Sequence, residues 1–252
     1  MNQAVKLPIE DLNREPYVSL LCYPYADPQE ADRRIAELRG IGVTAVEFKG
    51  NVLAAGLPVV GKGHEGVVVT AYADGERLAL KVRRADSIRR DPFHEAEMLR
   101  KANGIGVGPR FKAVTGNFLL SQLIDGGRLA EWMECNMEKA AFRRVLEDLL
   151  EQCWRLDEAG LDHGELSNAP RHILADGSGK PFIVDFETAS VRRRTSNVTS
   201  VCQYLFLGNS DARMLISEVL GREDNGRIRE ILTDYKKERS RDRFEALLGT
   251  FL

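Results

Sequence analysis

"GKGHEGVVVTAYADGERLALKVRR", residues 61–84, is the stretch of sequence that decides the fold. Two apolar, β-branched runs flank Asp74-Gly75, a typical hairpin turn, so the stretch is predicted to form two antiparallel strands. Its glycines, Gly61, Gly63 and Gly66, therefore precede a strand, whereas the phosphate-binding turn of a dinucleotide fold precedes a helix. A glycine-rich hairpin can place backbone N–H groups over phosphates without Cβ clashes, or it can simply be a turn.

Outside this hairpin, strands and one helix precede a mainly helical C-terminal part. Towards the N-terminus, the sequence predicts a strand at 17–22, a helix from Asp27 to Gly40 and a strand at 43–48. Towards the C-terminus, it predicts a helix at about 92–103, a strand at 118–124, an amphipathic helix at 138–158 and a buried strand at 181–186. This order is typical of an α+β protein with a β-rich first lobe.

The composition of the chain excludes several classes of partner. A net charge of −2 over 252 residues gives no global field for nucleic acid or an anionic membrane, so any nucleic-acid contact would be indirect. No apolar run approaches the ~18 residues of a membrane span, and the N-terminus lacks a secretory pattern. The scattered cysteines predict reduced core thiols; they are Cys22, Cys135, Cys153 and Cys202. We therefore expect a cytoplasmic protein without a membrane partner.

Lys81 is expected on the second strand of the hairpin, flanked by apolar residues. It is either a surface residue of an edge strand or a residue turned into a cleft, where a lysine can contact the α and β phosphates of ATP. A lysine in such a cleft needs a carboxylate partner, and the following helix offers Glu95 and Glu97. Glu95 shares a helix face with Met98 and Leu99, so we predict that it points inward to Lys81, whereas Glu97 faces solvent.

Two polar segments of the second half also carry candidate chemistry. His163-Gly164-Glu165 lies in the loop GLDHGELSNAPRHIL (160–174), and Asp185 directly follows a short apolar strand. Burying an unpaired carboxylate is costly, so Asp185 is predicted to bind a ligand, with a helix N-cap as the alternative. A zinc site built from His163 and His172 is a weaker interpretation, because no cysteine or third histidine is near in sequence.

Taken in order, these motifs resemble the protein-kinase-like fold over roughly residues 57–207. More closely, GVGP, LDHGELS…HIL, DFETAS and RRRTSNVTSVCQYLF are similar to stretches of an archaeal family of predicted serine/threonine protein kinases, akin to the RIO and KEOPS-associated kinases. The resemblance implies a bilobal kinase-like fold, with a β-rich N-lobe over 57–124 and a helical C-lobe over 125–252 that lacks the usual peptide platform. Residues 1–56 would form a small βαβ-like or ββ-type cap.

The resemblance also implies a role for each motif. Lys81 would position the phosphates of ATP, Asp185 would carry the metal, and Glu165 would orient the attacking hydroxyl. Glu165 is one methylene longer than the aspartate usual at that place, so the backbone must lie slightly further back. The nucleotide-binding residues implied are Gly61, Gly63, Gly66, Val68, Lys81, Glu95 and the adenine-facing hinge residues Ser121, Gln122 and Leu123.

The second metal ligand is the point at which this sequence departs from the kinase pattern. Counted from Glu165, the usual asparagine would stand at Pro170, which has no ligand atom. Counting back from Asp185 with a two-residue insertion instead places His172 there, and Asn168 is the competing candidate. Mg²⁺ prefers oxygen ligands and imidazole suits softer ions. A metal bound by His172 predicts a preference for Mn²⁺ over Mg²⁺ and a loss of activity as the imidazole protonates, whereas Asn168 predicts neither effect.

The leading expectation is an atypical ATP-dependent serine/threonine protein kinase with Mg²⁺ or Mn²⁺ as cofactor. Its substrate would be another protein or itself. One alternative is a small-molecule phosphotransferase of the choline or aminoglycoside kinase type, although residues 124–162 leave little room for the substrate-recognition insert of those enzymes. Another is a nucleotide-binding pseudokinase or slow ATPase that serves as a scaffold.

The triple-arginine run Arg192-Arg193-Arg194 comes soon after Asp185. It is either a solvated surface or a site for an anionic substrate at the mouth of the cleft. One spatial expectation underlies the kinase hypothesis, namely that Lys81 and Asp185 face each other across a crevice that holds the nucleotide.

Overall fold

The computed structural model describes residues 4–88, 91–221 and 224–252, and the chain divides into two compact units. The first unit comprises the chain up to Glu97 together with Arg110–Leu123, and the second comprises Met98–Pro109 and Ile124–Leu252. Antiparallel sheets and helices are both present, which confirms the α+β class. The chain leaves the first unit after Leu123, one residue before the boundary predicted at 124, whereas the boundary predicted at 56 falls inside that unit.

The first unit contains a seven-stranded antiparallel sheet, two helices that precede the central strands in sequence, and part of a third helix. Its elements are β1 (Val5–Pro8), a 3-10 turn (Ile9–Leu12), α1 (Tyr17–Leu21), α2 (Pro28–Gly40), β2 (Val43–Phe48), β3 (Val52–Ala54), β4 (Leu57–Val59), β5 (Gly61–Lys62), β6 (Gly66–Ala73), β7 (Glu76–Arg83), α3 (Phe93–Gly104), β8 (Phe111–Val114) and β9 (Phe118–Gln122). The strand order is β1-β2-β6-β7-β9-β8, and β5 pairs with β6.

The central hairpin β6–β7 forms as the sequence predicts. It pairs from Gly66 opposite Arg83 to Ala73 opposite Glu76, and the turn residues Asp74 and Gly75 have φ values of 50° and 78°. Positive φ at both central residues is the requirement of a type I′ turn, which suits the twist of the two strands. Because β7 lies between β6 and β9, the position that carries Lys81 is interior to the sheet and not at its edge.

The strand predicted at 17–22 is wrong, because Tyr17–Leu21 forms the short helix α1. A short apolar run does not distinguish a strand from a helical turn by periodicity. The position beside β2 is taken by β1, which pairs with it antiparallel from Val5 opposite Phe48, and β2 in turn pairs with β6. Residues 4–56 therefore extend the main sheet, and their strands are antiparallel rather than the parallel pair of a βαβ unit.

Helix α2 begins and ends where its sequence signals place it. The Asp27 carboxylate caps the helix by accepting hydrogen bonds from the backbone N–H groups of Gln29 and Glu30, and Pro28 occupies the first turn. Gly40 is the last helical residue.

The second unit is built around one long helix. Its elements are β10 (Gly126–Arg128), α4 (Leu129–Cys135), α5 (Lys139–Glu158), a 3-10 segment (Leu166–Arg171), β11 (Ile173–Asp176), β12 (Pro181–Ile183), α6 (Asn197–Cys202), a π-helical turn (Gln203–Leu207), α7 (Asp211–Leu220), α8 (Asn225–Lys237) and α9 (Arg241–Phe251). The predicted apolar stripe of α5 is buried, including Phe142, Leu149 and Leu156. Strands β10, β11 and β12 form a three-stranded antiparallel sheet.

The cysteines follow the sequence-based expectation with one exception. Cys22, Cys153 and Cys202 are buried thiols, whereas Cys135 is exposed because it is the last residue of α4. Burial raises the pKa of the Cys153 thiol, which keeps it protonated in the core. Among the described residues, no helix has both the length and the apolar character needed to cross a membrane.

Candidate functional site

The predicted glycine loop is a hairpin in the first unit. Gly61 lies opposite Val68 in the β5–β6 pair, and the backbone N–H of Gly63 donates to the Gly66 carbonyl oxygen at 2.8 Å. A Cβ atom added to Gly66 would lie 3.0 Å from Cγ of Lys81 and 3.0 Å from the Val82 carbonyl oxygen. Glycine at position 66 therefore gives the Lys81 side chain room to pass beneath the hairpin.

The predicted ion pair between strand and helix is present. Nζ of Lys81 lies 2.8 Å from Oε2 of Glu95, and the two side chains are only 18% and 10% exposed. Glu95 is buried on α3 and Glu97 is exposed, as the helical periodicity predicts. A nearly buried ammonium group is stabilised only if a carboxylate or another acceptor stays beside it, so Glu95 fixes the position of the Lys81 side chain.

The predicted hinge lies at the end of β9. The backbone N–H of Gln122 donates to the Arg110 carbonyl oxygen at 2.8 Å, and the Gln122 side chain accepts from the backbone N–H of Arg110 at 3.2 Å. Leu123 is the last residue of the first unit. The Gln122 side chain is therefore tied to its own unit, and an adenine-facing role for Gln122 and Leu123 remains a prediction.

In the second unit, the loop that carries Glu165 is anchored through His163. The backbone N–H of His163 donates to Oδ1 of Asn197 at 2.9 Å, and Nε2 of its ring lies 3.0 Å from the Val184 carbonyl oxygen. A carbonyl oxygen only accepts, so Nε2 carries the proton. Burial lowers the pKa of His163 to about 4, so the ring is neutral at physiological pH.

Gly164 has the backbone conformation that the turn after His163 requires. Its φ is 89°, and an added Cβ would lie 3.1 Å from the Thr188 carbonyl oxygen. The next residue, Glu165, is the N-cap residue of the 3-10 segment, and its carbonyl oxygen accepts from the backbone N–H of Asn168 at 2.8 Å. Glycine between His163 and Glu165 is therefore a steric requirement of this loop.

Asp185 is positioned by the end of the β11–β12 pair. The backbone N–H of Val184 donates to the His172 carbonyl oxygen at 2.9 Å, so Asp185 is the first residue beyond this bond. Its φ of 68° lies in the left-handed region, which is uncommon for residues other than glycine, although aspartate adopts it more readily than most. The next side chain, Phe186, is buried with its ring 5.0 Å from that of His163.

The GVGP stretch (106–109) has a packing role in the same unit. An added Cβ on Gly108 would lie 3.0 Å from the Phe186 ring, so only glycine permits this approach. Arg155 of α5 donates to the carbonyl oxygens of Ile105 and Gly106 at 2.8 and 3.1 Å. This turn therefore supports the residue that follows Asp185.

Three predicted site residues of the second unit come together. One ligand atom from each of Glu165, His172 and Asp185 lies within 4.8 Å of the others. Nε2 of His172 is 3.6 Å from Oε2 of Glu165, and Nδ1 is 3.9 Å from Oδ2 of Asp185. His172 is buried, whereas the competing candidate Asn168 is exposed. The geometry therefore favours His172 over Asn168 as a metal ligand.

Sequence reasoning missed the polar network that supports this loop. The Asp157 carboxylate of α5 accepts from the backbone N–H and side-chain amide of Asn197, at 2.9 and 2.8 Å, and from the Tyr235 hydroxyl at 3.1 Å. Asn197 then binds the backbone of His163, as described above. An aspartate in the apolar-periodic helix 138–158 was the one available signal.

The triple-arginine run is only partly a free surface. Arg192 is exposed, but Nε of Arg193 lies 3.0 Å from Oδ2 of Asp162, and Arg194 donates to the Lys236 carbonyl oxygen at 2.6 Å. Asp162 and Ser190 also exchange backbone hydrogen bonds. Arg193 and Arg194 thus fasten the segment that follows Asp185 to its own unit.

Comparison with known proteins shows a similarity to an archaeal protein. The chain is 30% identical over 117 residues to the uncharacterized protein MJ1211 of Methanocaldococcus jannaschii, and the aligned part covers 46% of this chain and 98% of that protein. No protein-family model matches the chain. The relative has no assigned activity, so a function must be argued from the residues of this chain.

Proposed function

This chain belongs to the same family as the Methanocaldococcus jannaschii protein, and we propose that it is an atypical, protein-kinase-like ATP-dependent phosphotransferase. It would transfer the γ-phosphoryl group of ATP to a serine or threonine hydroxyl of a protein, with its own hydroxyls among the acceptors. Each unit carries part of the machinery that this reaction needs.

The observation that carries the proposal is the ion pair between Lys81 and Glu95 beneath the glycine hairpin. Lys81, at an interior strand position, is held by a helical glutamate at 2.8 Å, and its side chain passes a glycine hairpin in which a Cβ at position 66 would lie 3.0 Å from Cγ of Lys81. Such a combination suits the phosphates of ATP, because phosphoryl transfer depends on positioning and on stabilising charge. Lys81 would contact the phosphates and Glu95 would hold Lys81.

The cluster of the second unit fits a divalent ion. The carboxylates of Glu165 and Asp185 supply negative charge, and Nδ1 of His172 is buried without a hydrogen-bond partner among the described residues. Asp185 and His172 would hold the ion, Mg²⁺ or Mn²⁺, which when bound neutralises charge on the phosphates.

Glu165 would accept the proton of the attacking hydroxyl. The hydroxyl oxygen forms a bond to the γ-phosphorus as the bond from that phosphorus to the bridging oxygen breaks, and ADP leaves with the electron pair. No covalent intermediate with the protein is needed, since catalysis comes from orientation and charge.

The proposal is tested by incubating the full chain with γ-labelled ATP and either Mg²⁺ or Mn²⁺, with protein acceptors and a panel of small alcohols and aminosugars. Asp185→Asn should lower label transfer by about 100-fold or more. Glu95→Gln should lower it by about tenfold or more, because Lys81 loses its partner. The matched controls are Asp242→Asn on the exposed face of α9 and Glu97→Gln on the exposed face of α3.

Each outcome has a defined meaning. Both control variants should keep the wild-type rate, and label should appear on protein. Transfer to small alcohols alone would replace the protein-kinase assignment with a small-molecule phosphotransferase. The segment 124–162, which holds β10, α4 and α5, makes that result unexpected because it carries no additional inserted element. ATP-dependent thermal stabilisation without any transfer would instead indicate a scaffold.

A further inference from the structure

We infer that Glu165, His172 and Asp185 form a binding site for a divalent transition-metal ion, and that the ion occupies this site in the absence of nucleotide. In the proposed phosphotransfer, an ion would be held by Asp185 and His172 together with phosphate oxygens. The inferred site differs because Glu165 becomes a ligand and the protein alone supplies three ligand atoms. It does not depend on the proposed reaction.

The separation of the three side chains suits one ion. Metal–ligand bonds of about 2.1 Å place ligand atoms about 3 Å apart at right angles and about 4 Å apart when opposite. One ligand atom from each residue lies within 4.8 Å of the others. Nε2 of His172 lies 3.6 Å from Oε2 of Glu165 and Nδ1 lies 3.9 Å from Oδ2 of Asp185, and one ion would bind only one of these two ring nitrogens. Small side-chain rotations therefore bring one atom of each residue to a common centre.

The backbone holds these three residues on a single frame. Glu165 and His172 are the residues directly before and after the 3-10 segment, and the N–H of His172 donates to the Ala169 carbonyl oxygen at 2.9 Å. Its carbonyl oxygen accepts from Val184, the residue before Asp185. A ligand set fixed in this way loses little conformational entropy when an ion binds.

The ring of His172 is a second and independent indication of a ligand. The residue is 6% exposed, and its Nδ1 atom has no hydrogen-bond partner among the described residues. Oδ2 of Asp185 lies 3.9 Å from this atom, which is too far for a hydrogen bond. Buried polar atoms without partners are rare in folded proteins, and Nδ1, which lies beside the Asp185 carboxylate on a ring that also lies near Glu165, is well placed to bind a cation.

The ligand types define the class of ion. Mg²⁺ and Ca²⁺ favour oxygen ligands alone, whereas one imidazole and two carboxylates suit Mn²⁺, Fe²⁺, Co²⁺ or Zn²⁺. Three protein ligands leave coordination positions open to water or to phosphate oxygens. Oε2 is the Glu165 oxygen that lies 3.6 Å from His172, and binding of the ion through this oxygen would leave Oε1 to accept the proton of a hydroxyl.

Titration of the nucleotide-free full chain with Mn²⁺ tests the inference. Pulsed electron paramagnetic resonance should detect one bound Mn²⁺ with coupling to an imidazole ¹⁴N nucleus, and His172→Asn should remove this coupling. Glu165→Gln and Asp185→Asn should each weaken Mn²⁺ binding by about tenfold or more. The matched control is His64→Asn, an exposed histidine of the first unit, which should change neither coupling nor affinity.

Bound Mn²⁺ without nitrogen coupling, or with coupling that survives in folded His172→Asn, would overturn the inferred site. If His172→Asn does not fold, the inference is tested by nitrogen coupling in the wild-type spectrum and by the Mn²⁺ affinities of Glu165→Gln and Asp185→Asn. A wild-type protein that transfers phosphate but binds no Mn²⁺ without ATP rejects the metal site and leaves the proposed function intact.

Discussion

The imidazole of His163 is completely buried, and its Nε2–H donates to the Val184 carbonyl oxygen at 3.0 Å. Its backbone N–H is held by Asn197, so both ends of the residue are fixed. Burial lowers the pKa of the ring to about 4, below the ordinary value of 6.5. His163 thus acts as a neutral anchor for the loop that carries Glu165, and a protonated ring at this position would disfavour the fold.

The lowered pKa of His163 predicts acid-labile stability in the second unit. Below pH 6.5 the His163 ring binds a proton in the unfolded chain, whereas in the folded chain it stays neutral down to about pH 4. The free energy of unfolding therefore falls as the pH falls through this window. The loss should reach roughly 3 kcal/mol at pH 4, and above pH 6.5 the contribution is fully retained. Urea unfolding followed by tryptophan fluorescence, with a chelator present, measures it, because Trp132 and Trp154 both lie in the second unit.

His163→Gln should be less stable at pH 7 but should lose part of this pH dependence. His64→Gln, at an exposed position of the first unit, should keep the wild-type profile. An unfolding free energy whose change between pH 6.5 and 4 is the same in wild type and His163→Gln would contradict the assignment.

At the scale of the elements, hydrogen bonds of Asp157 connect the C-terminal end of α5 to the N-terminus of α6 and to the middle of α8. The Asp157 carboxylate accepts from the backbone N–H groups of Asn197 and Val198, at the first residues of α6, and from the Tyr235 hydroxyl of α8. A carboxylate at a helix N-terminus is stabilised by the helix dipole and by N–H groups that lack helical partners. Burial, together with the Asp157 carboxylate, holds the pKa of Tyr235 well above its usual range, so Tyr235 remains the donor.

Asp157→Asn should lower the free energy of unfolding of the second unit by roughly 2–4 kcal/mol, because an amide NH₂ group then faces buried donors. Tyr235→Phe removes a single donor and should cost about 1 kcal/mol, which makes it the graded control. Urea unfolding by tryptophan fluorescence gives both values. Equal, small losses in the two variants would show that Asp157 is not the centre of this network.

The elements that the sequence predicted well are those in which periodicity and turn chemistry agree. The β6–β7 hairpin has a turn that only a pair such as Asp74-Gly75 adopts easily, and α5 carries an apolar stripe over five turns. At Tyr17–Leu21 the same reasoning failed, and the segment forms a helix. The strand position beside β2 is occupied by β1, and no local sequence pattern shows which segment pairs with which strand.

Within the site, the inward direction of Glu95 followed from helix geometry. His172 lies near Asp185 because its carbonyl oxygen accepts a hydrogen bond from Val184 across a strand pair. The spacing of residues along the sequence does not show this contact, so His172 was only one of two candidate metal ligands. The network of Asp157 and Asn197 joins residues 40 positions apart and left no local signal.

At the scale of the whole molecule, the first unit draws its core from residues on both sides of position 56. Leu21, Leu38 and Phe48 belong to the same buried cluster as Val69 and Leu80. The buried core and the β2–β6 pairing therefore make residues 4–56 part of one folding unit with the central strands.

Polar contacts also join these two parts of the first unit. The guanidinium of Arg34, completely buried, donates at 2.8 Å to the carbonyl oxygens of both Leu21 and Arg83. The Glu37 carboxylate accepts from the backbone N–H and side-chain amide of Asn117, at 3.1 and 2.7 Å. Removing α2 would remove these hydrogen bonds from the Arg83 carbonyl oxygen and from the Asn117 side-chain amide, which adds to the loss of apolar burial.

Deletion of residues 1–56 should therefore unfold the first unit, because β6 loses its neighbour β2 and the buried cluster is opened to water. Hydrogen exchange followed by mass spectrometry should show that β6 and β7 amides lose protection in the truncated chain, whereas α5 amides of the second unit keep it. Arg39→Ala, which removes only an exposed ion pair of α2 with Glu10, should leave both sets protected. If the truncated chain still protects β6 and β7, residues 4–56 are a dispensable cap and the buried cluster does not depend on them.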